Sequence, residues 1–595
     1  MIHAKRMTKV RIIGPKSILK QVIDIAHDLK LIHVVDYDGK DFFEIGTPFE
    51  EAEFQSSKLL KVRGLIDNLK IKAEPSPMKA NNAGPKLEKI HSEFTALNQK
   101  LSNLREQQKE LAQKLSNPMN ALGSNKEFIN EYNSLAVFKG SYKKDFETDL
   151  ESVTKDYVLY KNKAEKTNVF ALFVPQKLRE KVQSLLSNYG YSEMPFSDIS
   201  SEEKLRDQLN SVETKIAELK TELNSFGKRN AQFLIDYELY LTSLNEKSEA
   251  PLKFATSKNA FVATGWIPTA DLKTFENAIE TQVHEKCYFE TLKTEEDAPT
   301  ALDNPGAVHP FEFFLNLYTL PKYYEFDPTI LMFFTFPLFF GFMLGDVGYG
   351  LITGLLFLGL RTKMKGQMKD LLSVLLFASL STIAFGFFFG EFFGYEFIEH
   401  PIINRVNDIN TMLMVTILVG IIHINLGFII GFYNKYVHQG FKHALYEKGS
   451  WILLEIGIIV SLLENFMGIQ YAAIIGIPII LASLVMLYKG EGVQGFVELP
   501  ALLSNALSYT RLFAVGLASV QLAIVVNMLA GQMFEAGGIM IIVAVFILLF
   551  GHAINIGLGI LGPFLHSLRL HYVEFFGKFY TGGGERYTPF GVIRR

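Results

Sequence analysis

SNALSYTRLFAVGLASVQLAIVVN, residues 504–527, reads as one apolar helix with a permanent cation, Arg511, near its middle and no acidic residue within two turns. A charge at a bilayer centre costs about 2.5–3.5 kcal/mol on insertion scales. No carboxylate on the same helix offsets that cost. The stretch therefore points to a membrane domain in which the arginine waits for a partner from outside its own chain.

Residues 328–580 around it are dominated by Phe, Leu, Ile and Gly, and their apolar runs fit eight spans. These are expected at about 328–344, 347–361, 371–395, 410–432, 449–465, 470–488, 496–530 and 538–576. The first two are joined by the tight GDVG turn. Lys and Arg alternate with this count: RTKMKGQMK, NKYVHQGFKHALYEK, YKGEG and the ERYTPFGVIRR tail fall on one side. EFIEHPIINRVND, ENFMG and GQMFEAGG, with one Arg and no Lys, fall on the other. The positive-inside rule then places both termini in the cytoplasm. The last two spans exceed a bilayer core and must tilt or run past the interface.

Residues 1–310 are different in kind, rich in Lys, Glu, Ser and Asn, and read as a cytoplasmic arm. MIHAKRMTKVRIIG has no continuous apolar core and is not expected to be a signal peptide. Three segments repeat a strand–helix–strand pattern: 9–37, 168–197 and 260–292. They predict α/β lobes near 1–75 plus 255–300, and at 125–197. Two heptad tracts, 87–118 and 201–248, flank the second lobe. Leu87, Ile90, Phe94, Leu97, Leu101, Leu104, Leu111 and Leu115 form one apolar seam, interrupted by Gln108. Leu205, Leu209, Val212, Ile216, Leu219, Leu223 and Phe226 form the other. Each holds the coiled-coil period for about four heptads, which predicts an antiparallel stalk. The fold class is thus α/β lobes on a coiled-coil stalk, then an all-α eight-helix membrane domain at 311–580, then a cytoplasmic tail at 581–595.

Composition excludes several functions. The 595 residues carry a net charge of −3, which gives no reason to expect nucleic acid. A single cysteine, Cys287, rules out an intramolecular disulfide and speaks against a structural zinc site. There is no G-x-x-x-x-G-K-[ST] cradle for a nucleotide, and no cofactor or metal is expected.

On the seventh span Ser504, Ser508, Arg511 and Ser519 share an arc of roughly 80° at helical spacing. On the eighth, His552, Asn555, His566 and Arg569 share roughly 100°. Ser and Asn commonly hydrogen-bond between membrane helices, whereas a guanidinium cannot shed its charge. Arg569 stands close enough to the cytoplasmic face to snorkel. Asp346 in the GDVGYG turn reads equally as a turn-former or an ion-path carboxylate. Glu391, in FFFGEFFG, is a lone carboxylate that suits either a water-lined cavity or the interface. Glu455 and Glu498 fall near cytoplasmic span ends, where solvation is expected.

FPLFFGFMLGDVGYGL (336–351), SYTRLFAVGLA (508–518), FLHSLRLHYVEFFGKFY (564–580) and AFVATGWIP (260–268) resemble the stator subunit family of rotary V-type and A/V-type ATPases. The resemblance covers nearly the whole chain, and its length is that of the prokaryotic branch. It implies a non-catalytic, ion-translocating subunit that forms two half-channels against a rotor ring of small membrane subunits, each with a buried carboxylate. It also implies peripheral-stalk and catalytic-head partners, and a multi-pass place in a prokaryotic plasma membrane. Arg511 then matches the essential arginine and Arg569 the supporting one. The eukaryotic pattern has His where this chain has Ser519, and Glu where it has Gly559, so the resemblance implies an exit half-channel lined differently, by His552, Asn555 or His566. A stand-alone secondary transporter would show internal repeats, and a membrane-anchored coiled-coil scaffold would not need two arginines; neither fits as well.

Overall fold

A computed structural model describes residues 4–39, 43–73, 75–76, 83–115, 133–164, 167–193, 202–283, 286–294, 296–467 and 471–592. Parts of the expected linker at 74–85, the tract ends at 116–118 and 201, the lobe margins at 125–132 and 194–197, the start of the sixth span and the last three residues lie outside them. The chain forms two compact units, one from residues through Gly46 with Leu252–Val592 and one from Thr47–Pro251.

The Thr47–Pro251 unit contains a four-stranded antiparallel sheet in the order Val158–Ala164, Thr167–Pro175, Leu135–Tyr142, Ser192–Glu193. Phe146, Phe170, Leu172, Val182 and Leu186 fill the space between it and its helices. The same unit holds three long helices, Ala52–Leu69, Ala83–Leu115 and Glu202–Glu249. The last two run in opposite directions. Leu87 and Ile90 share a core with Leu234, Tyr237 and Leu241, while Leu101 packs on Val212, Ile216 and Leu219. Gln108, the polar position in the seam, donates to Glu213 Oε1 at 3.0 Å. The Ala52–Leu69 helix joins this cluster through Leu59, Val62 and Leu65.

The other unit begins with an antiparallel sheet in the order Tyr288–Leu292, Met7–Pro15, Ala260–Pro268, Ala255–Thr256, Glu44–Ile45, with His33–Val34 also pairing to Ala260–Pro268. The first and third strand–helix–strand segments thus interleave in one lobe. Residues near the C-terminus close it: Phe590 N donates to Ile32 O at 2.7 Å, Tyr587 Oη to Leu31 O at 2.5 Å, and Thr588 N to His33 Nδ1 at 3.0 Å. With Nδ1 accepting, the His33 ring carries its hydrogen on Nε2, which faces Glu585 at 3.4 Å. Buried Glu325 accepts from Lys322 N, Thr581 N and Gly582 N, fixing the turn that leads into the tail.

The membrane half of this unit comprises α1 (Thr329–Leu344), α2 (Val347–Arg361), α3 (Gln367–Phe389), α4 (Ile409–Gln439), α5 (Ser450–Met467), α6 (Ala472–Glu491), α7 (Val493–Ser508), α8 (Thr510–Ala536) and α9 (Met540–Arg569). Among the described residues five helical stretches are long and apolar enough to cross a membrane: α3, α4, α6, Val493–Ala536 and Met540–Lys578. The protein is therefore multi-pass, and α1 and α2 are shorter apolar helices. Asp346 separates those two. Its Oδ1 caps α2 by accepting from Tyr349 N at 2.9 Å, its Oδ2 accepts from Gly394 N at 2.9 Å, and Gly345 turns the chain with φ +28°. A Cβ on Gly386 of α3 would stand 2.3 Å from Val347 N, so only glycine lets α3 touch this turn.

Two span expectations change. The third apolar run was expected to remain helical to 395. The helix instead stops at Phe389, because Gly390 adopts φ +70°, and the run continues as a small hairpin, Glu391–Phe392 with Tyr395–Glu396. The run around Arg511 has a junction at Tyr509, which nevertheless keeps helical angles (φ −73°, ψ −15°). Val493–Ala536 is thus a 44-residue stretch, about 66 Å at 1.5 Å per residue, roughly twice a bilayer core.

Candidate functional site

The two arginines approach the same region from different helices. Arg511 lies in the first turn of α8, its side chain 26% exposed. Arg569 is the last residue of α9 and is exposed, with no ion pair among the described residues. His566 stands in the electrostatic field of both. Along α9 the apolar residues Phe546, Leu549, Leu558, Leu561 and Leu565 are exposed, the last two within about two helical turns of Arg569.

Arg511 does have a partner in its own chain, which corrects the expectation from its helix alone. Its Nη1 lies 3.3 Å from Glu574 Oε1, and its Nη2 donates to Ser508 Oγ at 3.3 Å. Ser508 Oγ in turn donates to Ser504 O at 2.9 Å, while Ser504 itself is exposed. Glu574 is buried in a π-helical turn, Leu570–Phe575, that follows α9. Such wide turns often occur at functional sites. Behind the pair, Tyr509 Oη meets His423 Nδ1 at 2.7 Å, and His571 Nε2 meets Thr335 Oγ1 at 2.7 Å. Gly420 makes room for the Tyr509 ring, which a Cβ there would meet at 2.6 Å.

Ser519, His552 and Asn555 do come together, but at a second place. Asn555 Nδ2 donates to Tyr349 Oη and to Ser519 O, both at 2.9 Å, and its Oδ1 accepts from Ser519 Oγ at 3.2 Å. Tyr349 Oη can then give its hydrogen to His552 Nδ1 at 2.7 Å, leaving Nε2–H for Asn527 Oδ1 at 3.1 Å. Every member is paired, so the cluster binds α2, α8 and α9 together. Ser519 is eight residues from Arg511, about 12 Å along α8.

Glu391 is not a lone carboxylate. It forms a buried ion pair with Arg405 through Nε, at 2.9 Å, and Nη2. Arg405, only 1% exposed, also donates to Met343 O and Gly345 O and lies over the Phe389 ring. This is the one arginine of the outer-loop set. Glu455 likewise departs from the solvated expectation: it is buried and accepts from Asn425, whereas Glu498 is exposed. Asp346 acts as the cap described above. No group of three or more metal-binding side chains occurs among the described residues.

Arg405, His423, Tyr509, His571 and Glu574 were missed in the sequence. Glu574 had a signal, being the only acid in the apolar run 540–580.

Residues 137–397 and 501–592, more than half of the chain, match one family model. The chain belongs to the V-type ATPase 116 kDa subunit family. The A-type ATP synthase subunit I of Archaeoglobus fulgidus is 31% identical, over 100% of this chain and 99% of its own length. That of Halobacterium salinarum is 29% identical over the same shares. Among solved structures, the cytoplasmic N-terminal domain of a subunit I, homolog of subunit a of V-ATPase, aligns over 48% of this chain and 100% of its own, with TM-score 0.29 and 15% identity. Membership of the V-type ATPase 116 kDa subunit family makes this chain a non-catalytic stator subunit of a rotary ATPase, serving ion translocation in association with other subunits.

Proposed function

We propose that this chain forms the two ion half-channels of a rotary ATPase against a ring of small membrane subunits, each bearing a buried carboxylate. Arg511 is the fixed cation that each rotor carboxylate meets. It favours the ionised carboxylate, so the ion is released there, and its permanent charge separates the two half-channels. Arg569, exposed at the end of α9, supports it. Ser504, Ser508 and His566 border the arginines, while Ser519, His552 and Asn555 form the polar layer farther along α8 and α9. The observation that carries this reading is the partly exposed Arg511 side chain, together with the exposed apolar residues of α9. A cation in that position can meet a carboxylate carried on an apolar rotor surface.

Eight spans with both termini cytoplasmic, in a prokaryotic plasma membrane, complete the reading. It is supported by the loop charges and by burial of Arg405, which removes the one arginine of the outer loops from solvent. The paired Ala83–Leu115 and Glu202–Glu249 helices serve as the stalk toward the peripheral-stalk subunits and catalytic head. The test is ion flux in vesicles holding equal amounts of assembled complex. Arg511→Lys and Arg511→Gln should assemble yet abolish flux and coupled ATP turnover, and Arg569→Lys should keep part of it. Near-normal flux with Gln at 511 would overturn the assignment.

A further inference from the structure

We infer that Glu574 is a positioning residue, the resting counter-ion that holds Arg511 between visits of successive rotor carboxylates; this rests on the function proposed above. A guanidinium in an apolar setting cannot lose its charge, so it needs a carboxylate at every moment of the cycle. A passing partner supplies one only intermittently. Glu574 supplies one from the stator itself, and it is 2% exposed, so water does not compete for it.

The geometry is that of a releasable contact. An arginine and a carboxylate bind most strongly as a bidentate fork. Here one terminal nitrogen meets one oxygen at 3.3 Å, and the second nitrogen goes to Ser508. Glu574 Oε2 is buried with no hydrogen-bond partner. The Arg511 side chain remains partly exposed. The guanidinium thus has two positions available. It can turn inward, where Oε2 completes the fork, or outward, where a second carboxylate takes its free donors. The exchange swaps one carboxylate for another on a fixed cation, and no proton need pass through Glu574. Competition from Glu574 is what lets the rotor carboxylate leave. Without it the ring would be retained on Arg511.

The test uses the assembled complex in vesicles, with flux and the labelling of ring carboxylates by a hydrophobic carbodiimide, which requires a protonated carboxyl. Glu574→Gln keeps an acceptor but removes the competing charge. Flux should fall about tenfold or more, and the one ring carboxylate held ionised on Arg511 should escape labelling while the others still react. Glu574→Asp keeps the charge at shorter reach and should lose only about threefold, the kind of rescue that a purely structural role would not give. Wild-type flux and labelling in both variants would overturn the inference, as would equal losses in both that track lost assembly. If Glu574→Gln fails to assemble, a fully assembled Glu574→Asp complex that loses about tenfold or more in flux decides against it, because the retained charge then gives no rescue. Arg511→Gln separates the two readings. If it abolishes flux while Glu574→Gln stays within about twofold of wild type, only the role of Glu574 falls. If Arg511→Gln itself conducts normally, the function proposed above falls.

Discussion

Replacing Arg405 with alanine should destabilise the membrane half more than any change on its lipid-facing surface. The side chain is 1% exposed and joins Glu391 to the carbonyls of Met343 and Gly345 at one end of the helix bundle. Alanine leaves a buried carboxylate without its counter-ion, which costs about 3–5 kcal/mol. The two carbonyls lose their donors in the same step, so the upper part of that range applies. At about 2–4 °C per kcal/mol for a unit of 150–250 residues, the melting temperature should fall by on the order of 10 °C. In a Trp266→Phe background, fluorescence from Trp451, which stacks on Phe428, reports this half alone in detergent. Converting both partners, Arg405→Met with Glu391→Leu, should recover at least about 2 kcal/mol of the single-variant loss, because no charge is then stranded. An Arg405→Ala protein that melts within about 2 °C of wild type would refute this account, as would a double variant less stable than the single.

Cysteines at Lys365 and Lys442 should react only with reagents that reach the cytoplasm, and those at Ile402 and Glu535 only from outside; reaction at 402 from the cytoplasm would sink the eight-span topology. Cys287 should stay silent in the same experiment, since burial pushes its thiol up to about 11, giving about 300-fold less thiolate at pH 7.5 than an ordinary cysteine. Leu101→Asp with Leu219→Asp places charge in the seam between the Ala83–Leu115 and Glu202–Glu249 helices. Head attachment should weaken while the membrane half still inserts, and undiminished assembly would rule out a paired stalk. Tyr587→Phe removes the bond to Leu31 O. Amide exchange across residues 31–35 should quicken about fivefold, the effect of one net hydrogen bond, and unchanged exchange would show that the tail does not hold that segment.

Local periodicity made much of the fold legible. The alternation in KVRIIG, NVFALFV and AFVATGW places strands where Met7–Pro15, Thr167–Pro175 and Ala260–Pro268 occur. The apolar runs locate the starts of the membrane helices to within a few residues, whereas the third helix ends at Phe389 rather than 395 and the fourth at Gln439 rather than 432. Pairing was not legible. Nothing near Met7–Pro15 announces that its neighbour is Ala260–Pro268, since strand partners are chosen by packing across the whole chain. The site divides in the same way. Helical spacing put Ser519 on one face with Arg511 and Asn555 on another with His552, and the contact between Ser519 and Asn555 needed both helices. Glu574 lies 63 positions beyond Arg511, out of reach of any search confined to one helix. Arg405 sits 14 positions after Glu391, close enough to notice, but a loop arginine reads as solvated until burial shows otherwise.

The lobe that contains Met7–Pro15 has a consequence for how the protein is made. Its sheet needs Ala260–Pro268, and its closure needs Tyr587 and Phe590, so strands from the start of the chain wait for residues at the far side of the membrane half. At a synthesis rate of about 5–20 residues per second, the interval from residue 300 to residue 585 lasts roughly 15–60 s. During that time the Met7–Pro15 and Ala260–Pro268 strands can pair, but the backbone of Leu31 and Ile32 has no tail to receive. Completion of the lobe therefore reports that the intervening helices have been threaded into the bilayer and the tail returned to the same side. A chain inserted with an odd number of crossings would leave its tail on the wrong side and this lobe permanently open, exposing an unfinished edge to quality-control proteases before any other subunit is met.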